Sequence, residues 1–291
     1  ELKLGTLQPK LPVIVTNDGR LLPQTWQGGQ LTSGDIKDLT LIGGQIDRTK
    51  QRESTDYEEM GLTSQSGAYK SSAKSDQFRF MGGDYKVNPN TTLTYHFAQL
   101  EDIYQQRYFQ VQHQQPLGNW VLGANLGYFW GKDDGGAKAG ELDNRTASGL
   151  FSAKLGGNTF YVGLQKVMGD DEWFRVNGTS GGTLANDAFG SSYESARERS
   201  WQVRHDFNFV VLGIPGLTLM NRYIHGDNVH NASTQDGTEW GRESELAYVI
   251  QSGPLKALNL KWRNSSQRRD WGSTNSFDEN RLIVSYPLSL L

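Results

Sequence analysis

Leu258-Asn-Leu-Lys-Trp-Arg-Asn264 and the closing run Arg281-Leu-Ile-Val-Ser-Tyr-Pro-Leu-Ser-Leu-Leu291 decide the fold. Both alternate residue by residue. Leu258, Leu260 and Trp262 fall on one face, Lys261 and Arg263 on the other. In the closing run Leu282, Val284, Tyr286 and Leu288 share a face, opposite Arg281 and Ser285. Side chains of a strand point to opposite faces with a period of two. One face is therefore apolar, and the other is too polar for a protein core. The pattern recurs in Leu122, Ala124, Leu126, Tyr128 and Trp130, in Phe160, Val162 and Leu164, and in Trp201, Val203, Phe207 and Phe209. The economical arrangement is an all-β transmembrane antiparallel β-barrel, with lipid outside and water inside. Lys166, His205 and Asn221 fall on nominally outer positions and are expected at the rim or beside a bulge.

Working outward, the chain divides into about fourteen candidate strands, an even number. The connections alternate in length. Short, turn-rich ones include Val87–Thr91, Gln115–Asn119, Gly156–Asn158 and Leu212–Gly216. Long ones are Arg48–Asp76, Gly131–Arg145, Gly169–Ser200, Gly226–Arg242 and Ser266–Asn280, with Glu101–Gln106 the short member of that set. Short inner turns and long outer loops are the habit of outer-membrane barrels. No stretch approaches the roughly 18 apolar residues of a membrane helix. A formal charge of −3 gives no bulk field for nucleic acid, and no nucleic-acid motif is present. The absence of cysteine fits an oxidising compartment. There is no phosphate loop, zinc-protease helix or nucleophile elbow, so no cofactor or metal is expected.

The runs Leu7–Thr25, Leu100–Tyr104, Gly178–Asp187, Gln251–Pro254 and Arg281–Leu290, spread in order over the whole chain, resemble the OprD-type outer-membrane carboxylate channels (Occ porins) of pseudomonads. Members of that family are eighteen-stranded barrels, so the resemblance implies a single barrel domain over residues 1–291 with about four N-terminal strands missing. It also implies that the Pro-rich stretch 10–23 folds into the pore and narrows it. The residues themselves agree: Pro12, Pro23 and an Asn-Asp-Gly turn, with Pro9 just before them, break the alternation there.

Arg20 would then be a cation at the constriction. Lys3, Arg204, Arg222, Lys261, Arg263 and Arg281 lie on the inferred lumen faces, with Asp206, Glu243 and Glu245 as available carboxylate partners. A row of cations in a narrow channel attracts anions and passes them between neighbouring sites, and the planar fork of Arg suits a carboxylate. In the resembling family such a basic ladder guides substrate carboxylates. Asp187 and Tyr104 resemble the constriction residues that face it.

The expected function is passive passage of small carboxylate solutes, with aromatic acids favoured over basic amino acids. Expected surroundings are outer-membrane lipid and lipopolysaccharide, with the protein a monomer or loose homotrimer. Two other classes have their own signatures. A barrel phospholipase would need a serine matched to His205, the only plausible base, and none is visible. A soluble all-β binding protein would stay monodisperse without detergent. His225, His230 and Asp227 are a faint metal pattern better read as loop residues.

Overall fold

The computed structural model describes residues 1–19, 22–64, 69, 72–272 and 276–287. The described residues form β1 (Leu2–Leu7), β2 (Lys10–Leu11), β3 (Ile14–Val15), β4 (Thr25–Ile36), β5 (Leu39–Lys50), β6 (Met60–Thr63) and β7 (Lys74–Ser75). They continue with β8 (Phe78–Asn88), β9 (Thr91–Leu100), β10 (Tyr104–Leu117), β11 (Trp120–Asp133), β12 (Asp143–Leu155) and β13 (Asn158–Met168). The last are β14 (Arg175–Val176), β15 (Arg199–Asn208), β16 (Leu217–Asn231), β17 (Thr234–Val249), β18 (Asn259–Arg269) and β19 (Phe277–Ser285). Fourteen of them make one antiparallel sheet in the order β1-β4-β5-β8-β9-β10-β11-β12-β13-β15-β16-β17-β18-β19, the wall of the barrel. Each is a chain neighbour of the next, and each coincides with one strand expected from the alternation. No described helix is long and apolar enough to cross a membrane.

Register carries the two faces around the wall, with irregularities only near strand ends in β4–β5, β8–β9 and β16–β17. Lys3 lies opposite Gln30, Arg204 opposite Arg222, Glu245 opposite Arg263, and Arg263 opposite Arg281, all on the inner face. The other face presents Leu31, Met81, Leu93, Phe109, Leu126, Phe160, Val203, Leu246, Leu260 and Leu282, all exposed. A slip of one residue would turn charged groups into hydrocarbon, so the pattern specifies the pairing strongly.

One expectation is corrected. The segments Gly226–Arg242 and Ser266–Asn280 are largely strand: β16 and β17 run on to a two-residue turn at 232–233, and β18 and β19 extend to Arg269 and from Phe277. The ladder of backbone hydrogen bonds continues above the membrane, where neither face needs to be apolar, so hydropathy could not show it. His205 and Asn221 are outward without a bulge. His205 pairs with Asn158 at 3.0 Å and stacks on Phe160, and Asn221 accepts from Ser244 at 2.7 Å. Both side chains are thus satisfied by a neighbour, as burial in lipid demands.

The hydrophobic core sits inside the wall at its long-loop end. Trp26, Ile46, Phe78, Leu100, Tyr108 and Phe129 point inward from wall strands and meet Val13, Ile14, Met60, Leu62, Trp173, Phe174 and Leu184 from loops. β14 joins β6, which joins β7, in a small sheet that ties the 51–77 and 169–198 loops together. Inner-face glutamines hold these loops to the wall. Gln24 donates to the Asn177 carbonyl at 3.0 Å, Gln106 to that of Phe174 at 3.1 Å, and Gln165 to that of Tyr193 at 2.7 Å.

Candidate functional site: a cationic lumen beneath an inward loop

The 10–19 stretch folds inward as the β2–β3 hairpin. Val13 and Ile14 are buried, Thr183 donates to the Pro12 carbonyl at 3.0 Å, and Ser180 N–H to that of Val15 at 3.0 Å. Arg20 and Leu288 lie outside the described residues. The loop that receives the hairpin turns at Gly178, whose φ of +80 is left-handed; a Cβ there would strike the Gln51 and Gln24 side chains.

The 181–189 segment of this loop lies over the cations of β15, β16 and β18. Asn186 is held by two wall residues, donating to Ser200 at 2.8 Å and accepting from Gln202 at 3.0 Å. Arg222 is buried; it is paired with Glu243 through Nε at 2.9 Å and Nη2, and its Nη1 donates to the Asp187 carbonyl at 2.9 Å. Glu243 in turn accepts from Phe189 N–H at 2.7 Å. The Phe189 ring lies 3.5 Å from the Arg263 guanidinium. Arg263 also donates twice to Glu245, at 2.9 and 2.6 Å, and Lys261 is 3.5 Å from the same carboxylate. Arg204 forms a bidentate pair with Asp206 at 2.7 Å and stands 5.0 Å from the Tyr161 ring. Arg281 pairs with Glu279 at 2.6 Å.

Two adjoining cavities open at this seam. One, of about 220 Å³, is lined by Tyr108, Asn125, Leu150, Asp187, Arg204 and Arg222 among others; the second, of about 310 Å³, by Asp187, Phe189, Met220, Arg222, Glu245 and Arg263. The structure thus brings together Arg204, Arg222, Arg263 and Asp187. Lys261 and Arg281 continue the same inner face beyond them. Lys3 also faces inward, on the opposite edge strand of the sheet, 3.4 Å from Glu1. Tyr104 does not join the group. It is wholly buried edge-on against Phe174, 5.2 Å between ring centres, filling space under the 169–198 loop. The tyrosine at the cavity is Tyr108, whose inward phase with Gln106 and Gln110 was a legible signal. Phe189 had none: it lies in a loop, and its place is fixed by Glu243 and Arg263 of the wall.

Asp187 accepts from Ser192 at 2.7 Å, and burial raises its pKa despite Arg175 and Arg222 nearby. Deeper in the loop, Glu194 is paired with Arg175 at 2.5 Å, and burial lifts its pKa to about 7. Glu198, beside Glu239 in a shared buried pocket, is pushed well up by desolvation and by that second carboxylate. A carboxyl raised in the folded state binds its proton more tightly there than in the open loop. Docking is therefore strongest below the ordinary carboxyl pKa and weakens as pH rises toward and through about 7 for Glu194. Hydrogen exchange at Trp173 and Glu198 amides, corrected for intrinsic rate, should lose protection between pH 5 and 8 (roughly the Glu194 transition and its flanks). Glu194→Gln should flatten that dependence.

Residues 1–290 match the family model for outer membrane porin, OprD family. The chain belongs to the OprD family of outer-membrane porins. It is 76% identical to the porin-like protein GalP of Pseudomonas putida, over all of this chain and 69% of that protein. It is 34% identical to porin D of Pseudomonas aeruginosa, over 100% of this chain and 70% of that one. Among solved structures, Pseudomonas aeruginosa OccK2 in complex with glucuronate superposes with a TM-score of 0.96 at 58% identity, over 100% of this chain and 78% of that one. Pseudomonas aeruginosa OpdK with vanillate gives 0.94 at 46%, over 99% and 74%. This OprD-family chain is an outer-membrane channel protein and not an enzyme. His205 faces lipid, bonded to Asn158.

Proposed function

We propose that this porin passes small carboxylates by passive diffusion, with aromatic acids favoured. The observation that supports it is the inner-face row Arg204, Arg222, Lys261, Arg263 and Arg281, set against Asp206, Glu243, Glu245 and Glu279. Each cation leans on a carboxylate, so the row holds an anion weakly enough to release it, as conduction requires. Arg204 and Arg263 keep free donors, because their carboxylates engage only Nε and Nη2. Arg222 is different: it anchors the loop, and substrate contact falls to its neighbours. Aromatic faces stand beside both free forks, Tyr161 at Arg204 and Phe189 at Arg263. A flat aryl acid can stack there while its carboxylate meets the guanidinium. Relatives crystallised with glucuronate and with vanillate carry carboxylates, the second of them an aryl acid. Residues 10–23 act as the pore-constricting loop, with Arg20 as a cation at the constriction and Lys3 as a further anion contact.

A liposome uptake panel tests the reading. Benzoate-like and vanillate-like acids should enter fastest, aliphatic acids such as glucuronate more slowly, and arginine or lysine at the rate of an unselective pore. Equal rates for the acids and the basic amino acids would reject carboxylate selectivity.

A further inference from the structure

The outer face carries a cationic patch that the pore does not use. At the long-loop end of β12, β13 and β15, Lys166 lies directly opposite Arg199 and pairs with Ala147, two residues from Arg145 on the same face. All three side chains are exposed. Like charges directly opposed on a sheet face destabilise it. Their carboxylate neighbours are already engaged. Arg199 pairs with Asp227 at 2.6 Å, Arg145 lies 3.7 Å from Asp143, Asp170 binds Arg197, and Asp171 accepts from the Asp143 amide at 2.7 Å. Among the described residues Lys166 has no ion pair. It also borders the apolar band, two residues from Leu164 and diagonal to Trp201, both exposed.

We propose that Arg145, Lys166 and Arg199 hold a phosphate of an outer-leaflet lipopolysaccharide, with its acyl chains along Leu164, Val162 and Trp201. Three observations choose this occupant. The patch sits at the end of the wall with the long loops, which faces outward in such barrels. Its charge complements a phosphate, which accepts from Arg and Lys together. Beneath it lies lipid-facing apolar surface, so the ligand must have an anionic head directly above hydrocarbon. A sugar-bound phosphate above acyl chains has that shape.

The test uses the full chain purified in detergent, delipidated, and offered diphosphorylated lipid A, dephosphorylated lipid A or phosphatidylglycerol, with bound lipid counted by native mass spectrometry. Wild type should retain diphosphorylated lipid A best. The double variant R145Q/K166Q should bind it roughly thirtyfold more weakly, the effect of two basic groups at a charged lipid surface. K166R should retain it, and heat-modified gel mobility should show every variant folded. Channel conductance should not change, since the patch lies across the wall from the lumen. Equal retention by the double variant, equal binding of dephosphorylated lipid A, or equal binding of phosphatidylglycerol would each overturn the assignment.

Discussion

Arg263→Ala should lose most of the channel's preference for anions over cations in planar bilayers and slow carboxylate uptake by about tenfold. The magnitude follows from one charge-assisted hydrogen bond, about 1.5–3 kcal/mol, where ~1.4 kcal/mol is tenfold. The lower end applies because Glu245 already moderates the Arg263 field. Two effects act together. The fork that offers free donors to a carboxylate disappears, and Glu245 is left with Lys261 alone, at 3.5 Å. Phe189 also loses the nearer of the two cations over its ring, Arg222 remaining at 5.4 Å. Arg263→Lys separates these: a compact ammonium keeps the charge but not the planar, bidentate and stacking geometry. Ion selectivity should then survive while preference among aromatic acids falls. If selectivity is unchanged in Arg263→Ala and in Arg204→Ala, the inner row does not act as an anion ladder.

The wall was legible because a barrel in lipid gives every strand the same instruction. Leu260 and Trp262 face hydrocarbon, Lys261 and Arg263 face water, and no other register satisfies both. The strand ends were not legible where β16 and β17 rise past the membrane, because His230 or Gln235 is equally at home on either face there. Within the site, Arg204, Arg222 and Arg263 could be placed inward by parity alone, and their partners Asp206, Glu243 and Glu245 with them. Parity cannot distinguish a cation that meets solute from one that holds a loop. That difference depends on where residues 187–189 come to rest, and it is set by the Asn186 clasp with Ser200 and Gln202. Tyr104 and Tyr108 share the inward phase, and only the packing of Phe174 decides that Tyr104 is filled over while Tyr108 reaches the cavity.

The larger effect is expected at Arg222. Arg222→Leu should open the pore, raising single-channel conductance and exposing the 181–189 segment to protease, while costing the folded barrel about 3–5 kcal/mol. The pair with Glu243 is buried on both sides. Removing the cation leaves the buried Glu243 carboxylate with Phe189 N–H as its donor. It also removes the donor to the Asp187 carbonyl, one of the segment's ties to the wall. The double variant Arg222→Leu/Glu243→Leu distinguishes stability from docking. Replacing both charges by packed apolar groups should recover most of the thermal midpoint, since the desolvation of an ion pair offsets much of its attraction. It should not restore low conductance, because the Asp187 carbonyl and the Phe189 amide still lack partners. Conductance at the wild-type value in both variants, with the segment still resistant to protease, would mean that Asn186, Gln165 and Gln202 seat the loop without help from the charged pair.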